Sequence, residues 1–374
     1  MKKKVLAFLL ASTMVVEPFS VASAADFSDG TGQDVVQFSD DGEDVPEVEN
    51  DGDDADQFST DAAGEGKNSS KPPEDAIQMG DDVWFTFDDS TGTATISGTG
   101  DMWDYYENGY DRTNQYMNPF IGKSGVKKIV IEDGVTSIGD LLLNRYNDKK
   151  SIEEILLGKD IERIGKSAFS GCSNIKNISL PAGLKEIDER VFEMCSSLES
   201  MAIPDNVDTL GKLCFSECHE LKVVELPDDL KSIPEGAFYE CGVTNLVLPS
   251  KLEKIGSYAF EFSSLKEITL PKSLKEMGGS AFEYCSLSKL NFEEGFSCDI
   301  SGWAFDSCKN LEEIIIPEGV QNIEYNAFGD CLNLTSVTIK SAATKIDSNV
   351  FRGCSNIRII KGYDCSYIKN TMIL

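Results

Sequence analysis

The chain has 374 residues, with 34 Lys plus Arg against 64 Asp plus Glu, a net charge of −30 and a pI near 4.3. Such a field repels phosphate backbones and anionic membrane surfaces, which excludes nucleic-acid partners and polybasic membrane attachment. A single histidine, His219, excludes sites built on paired imidazoles, and a 41% hydrophobic content excludes wholesale disorder.

The first segment has the pattern of an export signal. Lys2, Lys3 and Lys4 precede the apolar run Val5 to Val16, and Ala22-Ser23-Ala24 supplies small residues for cleavage near Ala24. The run is shorter than the ~20 residues that span a bilayer, so no membrane span is expected in the mature chain. Residues 25–78 carry 17 acidic residues and two lysines, a net −15. Self-repulsion and little apolar surface predict a disordered spacer. From 79 to 123 a β-rich cap is expected, since Val83, Phe85 and Phe87 alternate, Ser90-Thr91-Gly92 turns, and Ala94 and Ile96 alternate again. Trp84 and Trp103 are expected to seal this end.

From about residue 124 the chain repeats itself. Phenylalanine stands at 169, 192, 215, 238, 260, 282, 305, 328 and 351, in steps of 22 or 23. A small residue precedes each one, and three residues later comes cysteine, or Ser263 in one coil. An alternating apolar run ending in proline follows, as in Ile175, Ile178, Leu180 and Pro181. A second apolar pair comes next, as in Leu184 with Ile187. A fixed period near 23 is the signature of a solenoid, in which stacked coils bury what one coil alone leaves exposed. Counting strand starts from Val126 to Ile357 gives about eleven coils over 124–374, or about 50 Å of stack at ~4.8 Å per strand. Along the second pair, Glu162, Lys185, Asp208, Lys231, Glu253 and Lys275 alternate in sign, a pattern that keeps register between neighbouring strands.

The unit A-F-x-x-C-x-N/S-L-x-x-I-x-L-P-x-x-L-x-x-I resembles the BspA-like class of bacterial leucine-rich repeat. Residues 83–138 and the ending RIIKGYDCSYIKN resemble that family's entry and closing segments, so the resemblance covers about 79–374. It implies a right-handed leucine-rich repeat solenoid, a secreted or cell-surface location, and binding of a host or extracellular-matrix protein in the manner of an adhesin. It implies neither catalysis nor a cofactor. The resemblance does not extend to surface anchors: Met372-Ile373-Leu374 follows neither a sortase-type motif nor a terminal hydrophobic span.

Eleven cysteines cannot all pair within one chain. Nine sit in repeat columns that require a small apolar residue, which a free thiol satisfies; disulfides between adjacent coils are the rival arrangement. Cys298 and Cys365 lie outside the columns and are expected to be exposed. Cys218 and His219 are adjacent but should project inward and outward, which argues against a nucleophilic pair. No G-x-S-x-G, H-E-x-x-H, phosphate loop or C-x-x-C occurs.

If a ligand-binding face exists, the outward residues of the long strands are its best candidates: Asn177, Ser179, Glu225, Val247, Glu267, Thr269, Glu313, Ile315, Ser336 and Thr338. The coils from 238 to 305 are irregular, with one residue added near Ser297 to Asp299, and Trp303 beside that insertion joins the candidates. The expected function is that of a monomeric, exported interaction protein whose ligand is a protein or a glycan. A carboxylate-dependent hydrolase or accessory protein and a purely structural surface component are the alternatives.

Overall fold

The computed structural model describes residues 72–362. The export signal, nearly all of the acidic spacer, Cys365 and the closing sequence from 363 onward lie outside them. β1 (Ile77–Gln78), β2 (Gly80–Asp88) and β3 (Thr93–Met102) pair antiparallel in that order. At ten residues, β3 is long enough to run parallel beside two strands of the first coil. Its Thr93–Ile96 stretch pairs with β4 (Lys128–Ile131), and Gly100 and Asp101 pair with β5 (Val135–Ile138). The period-two alternation buries Val83, Phe85, Ala94 and Ile96 on the side facing the coils. Phe120 packs edge-on against Phe85, with ring centroids 4.9 Å apart. The expectation for the two tryptophans is corrected here. Trp84 falls in the opposite register from Phe85 and is half-buried, and half-buried Trp103 lies against Tyr116 at 4.2 Å. Phe85, Tyr105 and Phe120 are the buried aromatics of this segment.

Each later coil has three sides. The alternating run forms the first, whose inward residues (Ile155, Met201, Val224, Ile268, Ile314, Val337) are buried. Proline then closes a turn by accepting the N–H three residues on, as Pro181 does from Leu184 (3.0 Å) and Pro204 from Val207 (3.0 Å). The second side is a two-residue strand, paired parallel with its neighbours from Arg163–Ile164 through Thr209–Leu210 and again from Ser232–Ile233 through Glu276–Met277. Two neighbours in the alternating-charge column close ion pairs, Lys185–Glu162 at 2.6 Å and Lys275–Glu253 at 2.8 Å. Of the eleven expected coil starts, those from Val126 to Leu334 are buried, and Ile357 packs partly exposed against them.

The third side is the turn that holds the phenylalanines. Their rings stack in one continuous column, with centroids 5.1 Å apart for Phe260–Phe282 and 5.9 Å for Phe169–Phe192 at the extremes. The turn is possible because the residues two before and two after each Phe adopt left-handed backbone, as at Ser167 (φ 52°) and Gly171 (φ 80°) around Phe169. The Phe N–H donates to a carbonyl of the next coil, as Phe260 does to Ala281 at 2.8 Å.

Cysteine in this turn does more than fill space. In most coils its thiol donates to the Phe carbonyl of the preceding coil, as Cys218 does to Phe192 at 3.1 Å, Cys285 to Phe260 at 3.0 Å and Cys354 to Phe328 at 3.0 Å, while Cys241 turns to the Leu221 carbonyl at 3.8 Å. Ser263, the serine in this column, pairs instead with the Cys285 thiol at 3.2 Å, so the column takes a small residue that can hydrogen-bond. All ten described cysteines are free and buried. Cys298 is among them, correcting the exposed thiol expected there: it is 4% exposed, and burial pushes its pKa up to about 11. Burial likewise raises Cys172, Cys241 and Cys285 to about 12. These ten thiols should stay silent to an aromatic disulfide reagent in the native state and react once the protein is denatured. Fast native reaction of several thiols would contradict this packing.

Candidate functional site

The outward positions of the long strands form two columns. Asn177, Glu267, Glu313 and Ser336 belong to the first; Ser179, Glu225, Val247, Thr269, Ile315 and Thr338 belong to the second. All ten sequence-derived candidates on this side project away from the core, and Ser336 and Thr338 are partly covered. Val247 is 88% exposed and Ile315 45%.

The strands carrying these columns do not form one continuous sheet. Among the described residues the parallel ladder runs from β3 and β4 to Glu154–Leu156, then resumes with Ser200–Ala202 and Val223–Glu225. It resumes again with Glu267–Leu270 and Lys289–Phe292, and finally with Glu313–Ile316, Ser336–Ile339 and Ile359–Lys361. Two of the interruptions open grooves. The larger, about 1050 Å³, lies between Lys289–Phe292 and Glu313–Ile316 and is lined by Asn291, Phe292, Glu313, Ile315, Pro317 and Lys340. The smaller, about 540 Å³, lies where Leu156 faces Asn177 and Ser179.

The larger interruption has a cause in the sequence. Leu290 and Ile314 are 24 residues apart, against 22 from Ile268 to Leu290 and 23 from Ile314 to Val337. The extra residue falls after Phe296, a buried ring standing where neighbouring coils place Leu274 and Val320. At the bulge Asp299 takes over from the short strand, accepting N–H groups of Gln321 (3.1 Å) and Asn322 (2.9 Å) and the Asn322 amide (2.6 Å). The displaced strand edge leaves backbone groups facing the groove without a ladder partner, a surface able to take hydrogen bonds from a ligand chain.

The groove is polar along one wall and apolar along the other. Lys289 bonds Glu267 at 2.7 Å, and this hydrogen bond holds the Glu267 carboxyl below its ordinary range. Asn291 donates to Glu267 (3.1 Å) and Thr269 (3.4 Å), and Ser336 donates to Glu313 (3.4 Å). Ile315 and Pro317 supply the apolar wall. The structure thus brings Glu267, Thr269, Glu313, Ile315, Ser336 and Thr338 into one neighbourhood, with Asn177 and Ser179 at the other groove. Trp303 is not part of this face. It stands in the Phe turn, φ 56°, with its ring 5.3 Å from Tyr325. Asn291, Phe292 and Lys340 were not among the sequence candidates; the coil spacing was the one signal that pointed to them.

Two further features bear on chemistry. Cys218 is buried with its thiol on the Phe192 carbonyl, while exposed His219 meets the Glu240 carbonyl through Nδ1 at 2.9 Å, so the two side chains do not address each other. Among the described residues, no helix is long and apolar enough to cross a membrane.

The model of the BspA type leucine-rich repeat region matches residues 143–246 and 231–358, with six copies. The chain belongs to this family. Among solved structures, the BspA-type chain is similar to a leucine-rich cell surface protein from Faecalibacterium prausnitzii, at 21% identity over 81% of this chain and 98% of that one, with a TM-score of 0.40. It is similar to a leucine-rich repeat protein from Bacteroides ovatus at 23% identity, over 76% and 93% of the two chains, TM-score 0.38. A third likeness is to the pneumococcal vaccine antigen PcpA, at 18% identity over 78% and 82%, TM-score 0.40. Comparison with curated proteins gave no match.

Proposed function

We propose that this BspA-type repeat protein is exported and works by binding, capturing an extracellular or host protein along its long-strand face in the manner of an adhesin. The groove between Lys289–Phe292 and Glu313–Ile316 carries the proposal: it joins free backbone edges, an apolar wall and a ring of polar side chains on one exposed surface. Its polar groups are spaced for recognition along a chain, and the Glu267 carboxylate is committed to Lys289 and Asn291 rather than to acid–base work. The export pattern of residues 1–24 and the description of the Faecalibacterium relative as a cell surface protein support an extracellular setting.

The test is capture by the mature chain across matrix proteins, mucins and glycans, repeated with Ile315→Lys. A charge placed on the apolar wall should lower affinity for the captured protein at least tenfold, about 1.4 kcal/mol, while an exposed outward side chain leaves the melting temperature unchanged. Equal capture by both proteins would remove the groove from the function.

A further inference from the structure

On the side of the Phe turn, four large rings are exposed although the fold does not call for them. Tyr258 is 43% exposed, and Phe262, Tyr284 and Trp303 are each 44% exposed. All four stand on left-handed backbone, with φ between 56° and 58°. They occupy the columns flanking the buried phenylalanine, Tyr258 and Trp303 two residues before it, Phe262 and Tyr284 two after. In the other described coils those columns hold small residues such as Ser167, Gly171, Gly236, Ser307 and Asn326 or non-aromatic long ones such as Arg190, Met194, Leu213, Glu217 and Glu240, so rings stand there in these coils alone. The left-handed backbone is common to every coil, so what sets these four positions apart is exposed aromatic area that adds nothing to the core.

The rings are also organised. Phe262 and Tyr284 stack with centroids 4.6 Å apart and planes 6° from parallel, Tyr239 meets Phe262 edge-on at 5.9 Å, and Trp303 meets Tyr325 at 5.3 Å. Between the flanking columns runs a third, occupied in three consecutive coils by Glu261, Glu283 and Asp306; the first two are half-buried, whereas Asp306 is 6% exposed and accepts the Ser307 hydroxyl at 2.8 Å. Glu261 faces both Glu283 and Glu240, and Glu283 faces Asp306; Arg352 is the cation beside Asp306. Among the described residues, none of these four carboxylates closes an ion pair with a side chain.

We infer that this aromatic and acidic strip, from Tyr239 to Trp303, docks an extended polypeptide segment bearing lysine or arginine side chains. Rings alone would accept any apolar partner. The half-buried carboxylates of Glu240, Glu261 and Glu283 alongside them, none in an ion pair among the described residues, select cations, which are attracted both by the negative charge and by the faces of the rings. The strip spans four coils, about 20 Å at ~4.8 Å per coil, the length of about six residues of extended chain. It lies on a different side of the coil from the long-strand groove and does not depend on it.

The test uses the mature chain and a fluorescently labelled hexalysine peptide, with a hexaglutamate peptide as control, read by anisotropy at about pH 8, above the raised Glu261 value of about 7, and at about 0.15 M salt so that long-range attraction to the acidic protein is screened. Three double variants are compared: Phe262→Ser with Tyr284→Ser, which changes no charge; Glu261→Gln with Glu283→Gln; and Asp205→Asn with Asp228→Asn, which removes the same charge elsewhere. Serine already occupies these turn columns at 280 and 307, so the first variant keeps the backbone, and a thermal melt verifies this. Hexalysine should bind the unaltered protein, lose about tenfold in affinity on each of the first two variants, and change less than about twofold on the third. Equal losses on all three variants, unchanged binding on the serine variant, or no binding by the unaltered protein would each overturn the inference.

Discussion

Replacing Phe260 with alanine should destabilise the protein by about 3–5 kcal/mol, the range for emptying a buried aromatic site in a core that cannot collapse. Phe260 is fully buried between two nearly parallel rings, Phe238 at 5.4 Å and Phe282 at 5.1 Å. Its backbone is held as firmly: the N–H donates to Ala281, and the carbonyl accepts the Cys285 thiol. Side chains on either side are therefore fixed by their own coils and cannot move into the void. A solenoid coil touches only its neighbours, so its stability is a sum of coil and interface terms. Loss of the central ring weakens two interfaces at once, whereas Phe351 has one described ring neighbour, Phe328 at 5.8 Å. Phe351→Ala should cost about half as much. Denaturant unfolding followed through Trp303 alone, with Trp84 and Trp103 replaced by phenylalanine, and then through Trp84 alone, should separate into two transitions in Phe260→Ala. A single coincident transition, or equal losses at 260 and 351, would rule out this picture of the ladder.

The repeat was legible because a period of 22–23 residues puts one requirement on one column, and the Phe, small-residue and proline columns each have a single demand. The left-handed positions were not legible. Left-handed backbone costs about 1–2 kcal/mol for a side-chain-bearing residue but forbids none of them, so Arg190, Leu213, Glu240 and Trp303 fill sites where only Gly171, Gly236 and Gly353 signal the conformation. Cys298 misled for a related reason. Column membership predicts burial only while the coil length holds, and the residue added after Phe296 folds Cys298 inward at 4% exposure. The outward long-strand residues followed from alternation alone. That the sheet breaks between Phe292 and Glu313 depends on where one extra residue is absorbed; sequence marked the irregular coil but could not show that it opens a groove. Trp303 was joined to the wrong face because nearness in sequence to the bulge does not survive the corner between the short strand and the Phe turn.

The row of carboxylates on that turn, half-buried at Glu261 and Glu283 and buried at Asp306, makes the protein more stable at mildly acidic pH than at neutral pH. Burial, and then the like charges of Glu283 and Glu240, push the Glu261 carboxyl from 4.5 up to about 7. Burial also raises Glu283 and Asp306. Between these limits the folded chain holds protons that the unfolded chain has released, so stability falls as pH rises through about 7 and is fully present below about 4.5. A 2.5-unit shift, from 4.5 to about 7, corresponds to a ceiling of about 3.4 kcal/mol at 1.36 kcal/mol per unit. Solvent access to the turn reduces this to about 1–2 kcal/mol. Asp133, Glu220 and Glu253 act in the other direction, since hydrogen bonds from Lys159, Lys222 and Lys275 lower them. Their contribution is lost only as pH falls below the ordinary carboxylate range, outside this window. Thermal melts at about pH 5.5 and about pH 8 should therefore show the higher melting temperature at the acid end. Glu261→Gln, which keeps the shape and removes the proton, should raise the melting temperature at about pH 8 and flatten the difference. A variant that melts with the same pH dependence as the unaltered protein would mean that Glu261 ionises on this turn without cost.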